Sequence, residues 1–145
     1  MADIELFSRH MALDCFYIAD VSGEDVSVFA AWLDITKFEK VVGFVLLCTA
    51  ASNLTNFEIV TGSTAAGANP TTVATLTTPA NINAANETAM IEMRASQIQG
   101  VDADAIVANL SINSAAAVPV ALSMLRYNPR YAYASLTTAT ETAWT

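Results

Sequence analysis

Between residues 106 and 112 the chain places Ile106, Ala108, Leu110 and Ile112 on one parity, with Asn109 and Ser111 on the other. A period of two marks a half-buried β-strand, because successive side chains of a strand point to opposite faces. Three more stretches repeat it. Val118, Val120, Leu122 and Met124 share one parity over 118–126, and Met90, Glu92 and Arg94 alternate with Ile91, Met93 and Ala95 over 88–95. Phe57, Ile59 and Thr61 alternate with Glu58 and Val60. A fifth stretch, 41–49, is apolar at nearly every position and reads as a strand covered on both faces. Residues 15–19 and 26–32 read as further strands flanking a turn at 20–25.

The links between these stretches carry turn chemistry: 50–56, the Gly-, Ala- and Asn-rich 62–70, 79–87, 100–104 and 113–117. One segment competes as helix, a single turn over 35–40 that Asp34 or Thr36 could cap. The pattern therefore predicts an all-β fold, an antiparallel β-sandwich of jelly-roll or Ig-like kind, with extended N- and C-terminal segments. No shift in composition divides the chain. It reads as one domain over 1–145, with a core over about 12–128, an N-terminal arm and a C-terminal tail over 129–145.

Composition narrows the function classes. Fourteen acids against six bases give a net charge of −8, the wrong sign for neutralising nucleic-acid phosphates. An apolar share of 54% argues against disorder. Charged residues reach only 14%, whereas alanine (27) and threonine (16) abound, which suits uncharged surfaces that approach closely. Asp3, Glu5, Arg9 and His10 interrupt the first residues as no secretory signal does. The longest apolar run, 41–51, is about half a membrane span. A soluble product without export signal or membrane contact is expected.

Catalytic constellations are missing from the sequence. His10 is the single histidine, and no Gly-x-Ser-x-Gly elbow or Gly-rich phosphate loop occurs. Asp102 and Asp104 read as solvated turn acids rather than as a hydrolytic pair or a calcium loop. Cys15 and Cys48 read as two free structural thiols, too few with His10 for a zinc site. The expectation is a protein that is not an enzyme and takes no cofactor or metal.

The end of the chain is more informative. Arg126, Tyr127, Arg130, Tyr131 and Tyr133 crowd around Pro129, and Tyr and Arg are the residue types enriched at interface hot spots. They serve either as caps on the open end of the sandwich or as an interface. Trp144, in an Ala- and Thr-rich tail, either folds back or docks onto a neighbour.

The order of segments carries a resemblance. Val21-Ser-Gly-Glu-Asp opens it, followed by Leu33-Asp-Ile-Thr-Lys-Phe-Glu-Lys-Val-Val and then the long apolar strand. Asn56-Phe-Glu-Ile-Val-Thr comes next, and Ala121-Leu-Ser-Met-Leu-Arg-Tyr-Asn-Pro-Arg-Tyr closes it. Over about 21–133 this resembles the small β-rich head decoration and minor capsid proteins of tailed bacteriophages and related virus-like particles. The resemblance implies a virion structural protein present in many copies, assembled in the host cytoplasm. Its implied partners are the major capsid protein or other virion subunits, with copies of itself in a homo-oligomer. A tail or connector component and a carbohydrate-binding, adhesin-like sandwich are the alternative readings.

Overall fold

The computed structural model describes residues 11–25, 31–47, 54–77 and 86–130, with 11–25, 47, 54–55, 77, 115–118 and 129 described by their backbone course. Strand β7, Val107–Pro129, is the axis of the fold. At 23 residues it is several times the usual strand length, and it joins the two alternating stretches 106–112 and 118–126 into one element. The turn expected at 113–117 is instead part of this strand.

Every other strand of the axis network is placed relative to β7. Along one edge β1 (Met11–Asp25) runs antiparallel from Met11 opposite Tyr127 to Asp25 opposite Ile112, and β2 (Leu33–Asp34) continues it. Along the other edge β3 (Phe38–Leu47) pairs with the second half of β7, and β4 (Leu54–Gly62) pairs with the first. Both edges break at the same level. On β1, Val21 faces Val118 while Gly23 already faces Ser114, so residues 115–117 stand opposite one residue. On the other side β3 ends with Leu47 opposite Val120, and β4 begins with Leu54 opposite Ser114. Pro119, which has no N–H to give a ladder, lies beside this break. Here β7 passes from one layer of the sandwich into the other.

Two antiparallel layers result, consistent with the all-β sandwich predicted from the alternation. One holds β5 (Thr71–Thr77), β4 and the first half of β7; the other holds β6 (Thr88–Arg94), β3 and the second half. Their inner faces share one core. Phe57, Ile59, Leu110 and Ile112 meet Val41, Val45, Ile91, Leu122 and Met124. Gly43 lets the layers close: a β-carbon there would come within 2.6 Å of Leu110 Cδ2 and 3.1 Å of Phe57 Cζ.

Three local expectations are revised. The helix is α1, Ala95–Val101, where a strand end and a link were expected, and 35–37 form only a turn before β3. Asp34 does accept hydrogen bonds from the Thr36 backbone N–H at 2.8 Å and hydroxyl at 2.6 Å, but the chain turns once and extends. α1 forms because Ile98 is fully buried, the Gln97 side chain accepts from the Arg94 N–H at 2.9 Å, and Asp102 N–H closes onto the Ile98 carbonyl. Strand β5 is not legible from parity, since threonines on both parities hide its alternation. Finally, Asn109 and Ser111 take the outward parity, as alternation requires, yet both are buried, Asn109 opposite Val60 and Ser111 opposite Glu58. The expected loop 62–70 holds its shape through Gly67, at φ +73°, whose backbone abuts the Trp32 ring.

Candidate functional site

The two ends of β7 lie at one end of the sandwich, because the strand doubles back between layers. β2, the start of β3, the end of β6 and α1 gather there as well. The described candidates Arg126, Tyr127 and Arg130 all sit at this end. Tyr131, Tyr133 and Trp144 lie outside the described residues, as do His10, Cys48 and residues 26–30 of the expected strand 26–32; the side chain of Cys15 does too.

Arg126 is used inside the chain. Its guanidinium stands 4.5 Å from the centre of the buried Phe38 ring and donates to the Asp34 carbonyl, tying the β2–β3 link to β7. Tyr127 lies directly opposite Lys40 in register. Its hydroxyl donates to Glu92 Oε1 at 2.5 Å, and Lys40 Nζ reaches the same oxygen at 2.9 Å while standing 4.9 Å from the Tyr127 ring centre. This trio ties β7, β3 and β6 together across their outward face. The Tyr127 hydroxyl first, and Lys40 second, hold the Glu92 carboxyl below its ordinary range. Tyr127 and Glu92 in turn hold the proton on Lys40 and raise it. Asn128, with a positive φ of 58°, reaches Glu39 with its side-chain amide.

Asp34 is pushed up by partial burial, but the Thr36 hydrogen bonds outweigh this and keep it below its ordinary value. Asp102 accepts from the Thr61 hydroxyl at 2.6 Å, which anchors the end of α1 to β4. Asp104 lies in the link to β7, two residues on, and lines a separate cleft with Ile98 and Arg130. The two acids are thus turn residues on one link, one of them engaged with Thr61. Among the described residues no group of three or more His, Cys, Asp or Glu side chains converges as metal ligands.

Arg130 belongs to an open cleft of about 510 Å³ lined by Glu39, Lys40, Arg94, Ala95, Ser96 and Arg130. Its backbone N–H is fixed to the Lys37 carbonyl at 2.8 Å, and its side chain is exposed. Sequence reasoning found Arg126 and Arg130 through their crowding but not Lys40 or Arg94, which arrive from different strands. The available signal was register: Lys40 stands between Arg94 on β6 and Tyr127 on β7.

No family model and no curated protein matches the chain. Solved structures give distant likenesses. A structure of Bacillus endospore appendages, described as disulfide-linked pili, is similar at 17% identity and a TM-score of 0.46, over 83% of this chain and 89% of that one. The K2 cleaved adhesin domain of Lys-gingipain is similar at 14% identity and a TM-score of 0.40, over 79% and 63%. A mutant VP2 protein of infectious bursal disease virus, in derived T=1 particles, follows at 12% identity and a TM-score of 0.25, over 86% and 40%.

Proposed function

We propose that this chain is a virion structural protein, a capsid decoration or minor capsid component that binds the shell and stabilises it by protein–protein contacts. Its partners are the major capsid protein or other virion subunits and further copies of itself, it assembles in the host cytoplasm, and it is not an enzyme. The observation that supports this most is a side of the sandwich where, among the described residues, two strands have no partner on their outer edge. The strand order ends at β5 in one layer and β6 in the other, and the two approach each other on one side. β5 carries no charged residue from Thr71 to Thr77, and its only interruption is a bulge at Val73. On β6, Met90 is 56% exposed. Isolated proteins guard such edges with charge, proline or a cover. An uncharged edge such as β5 suits a subunit whose side is covered by a neighbour, where area and fit take the place of a reactive site.

Mass spectrometry of purified particles tests the reading. Stoichiometric presence beside the shell protein is expected, and absence from the particles contradicts it. A tail or connector component is the second reading, favoured if particle imaging places the chain on the tail axis instead of the shell. The adhesin-like reading would need an exposed aromatic platform; Trp32 leans on Gly67 with part of its ring. Binding on a glycan array would revive it.

A further inference from the structure

No lysine or arginine occurs between Lys40 and Arg94, or between Arg94 and Arg126. The fold converts this spacing into a place. Lys37 and Lys40 open β3, Arg94 closes β6, and Arg126 and Arg130 close β7, so five of the six bases gather at one end of the sandwich. Five acids share that end: Glu92 is paired with Lys40, while Asp34, Glu39 and Asp102 keep their charge and accept hydrogen bonds from Thr36, Asn128 and Thr61. Asp104 lines the neighbouring cleft, which Arg130 also borders. Arg94 and Arg130 project from the 510 Å³ cleft, both exposed. At the opposite end, where β7 changes layer, the register of β1 puts Asp20 opposite Pro119, Glu24 opposite Asn113 and Asp25 opposite Ile112. No base stands on β1, and residues 112–119 of β7 contribute none.

We propose that copies of this chain join head to tail, the Arg94–Arg130 cleft of one copy receiving the acidic Asp20–Asp25 end of the next. The occupant is a second copy because charge complementarity exists between the two ends of the same molecule. A two-fold pairing at either end alone would bring that patch against itself and set like charges together. A heterologous contact of this kind closes into a ring or grows as a chain. This inference rests on the reading of the protein as a multi-copy structural subunit and gives that reading a direction.

Sedimentation velocity of the full-length protein tests it, at about 50 mM and about 500 mM salt, because exposed charge contacts are screened over this range. Wild type is expected to form species larger than dimers at low salt that dissociate at high salt. Arg94→Glu/Arg130→Glu and Glu24→Lys/Asp25→Lys should each weaken association by about tenfold or more, and their equimolar mixture should restore it. The neutral pair Arg94→Gln/Arg130→Gln, with an unchanged melting curve, serves if a reversal impairs folding. Wild-type assembly that survives both reversals, or a mixture that fails to recover, overturns the head-to-tail contact and leaves the subunit reading standing. A wild type that stays monomeric under every condition also overturns the head-to-tail contact, whereas only absence from purified particles overturns the subunit reading. Saturable binding of inorganic phosphate, lost in Arg94→Glu/Arg130→Glu without any change in assembly, makes the cleft a small-anion site and also overturns the proposal.

Discussion

The two halves of β7 share one strand and one alternation but live in different surroundings. In the first half, Val107–Leu110 and Ser111 are buried on both parities, and even Asn109 is without exposure. In the second half, Val120, Leu122 and Met124 are buried inward, while Ser123, Leu125 and Tyr127 keep partial exposure on the outward parity. The first half is thus held by packing on both sides. The second half is held by packing on one side and by a polar trio on the other. Alternation in a sequence states which residues share a face; whether that face is covered depends on distant segments.

Sharp differences in tolerance should follow. Val45→Asp on β3, which is 1% exposed and faces Leu122, puts a charge into the shared core and is expected to abolish soluble folding. A soluble variant with a cooperative melt would break the layer assignment. Leu110→Ala should cost about 3–4 kcal/mol in denaturant unfolding, because the side chain fills the space over Gly43 in a sealed half. Leu125→Ala, on the partly exposed parity, should cost only about 1 kcal/mol. Equal losses would erase the distinction between the halves. Gly67→Ala should cost about 1–3 kcal/mol, since its positive φ disfavours a side chain and the Trp32 ring occupies the space.

The smallest expected effect is in pH dependence, and the polar trio of the second half should show it. Glu92 is depressed below its ordinary 4.5, so its contribution is present above that value and fades as pH falls through the lower, folded value. Lys40 is raised above 10.5, so its contribution is present below that value and fades as pH rises beyond it. Glu92→Gln should therefore flatten part of the acid limb of a stability–pH profile. Asn109 and Ser111, at the matching outward positions of the first half, have no charge to titrate.

Much of this architecture was readable from residues alone. Leu110, Ile112, Leu122 and Met124 announced their inward faces through parity, and Val41 and Val45 announced a covered strand. Residues 113–117 misled because Asn, Ser and Ala permit a turn as readily as a strand; the paired edges of β1, β3 and β4 decide between them. Helix α1 was invisible for a similar reason. Seven residues do not hold a helix by propensity, and tertiary burial of Ile98 supplies what is lacking. At the candidate site, Arg126 and Arg130 stood out by crowding, but their company with Lys40 and Arg94 exists only after three strand ends meet.

Hydrogen–deuterium exchange on the full-length protein, assembled at low salt and dispersed at high salt, tests the central claim most directly: a sealed half for stability and an open end for contact. Amides of Val107–Ser114 should exchange slowly in both states, and those around Arg94 and Arg126–Arg130 should gain protection only on assembly. Fast exchange across Val107–Ser114, or an assembly that leaves the Arg94 and Arg130 region unprotected, would contradict it.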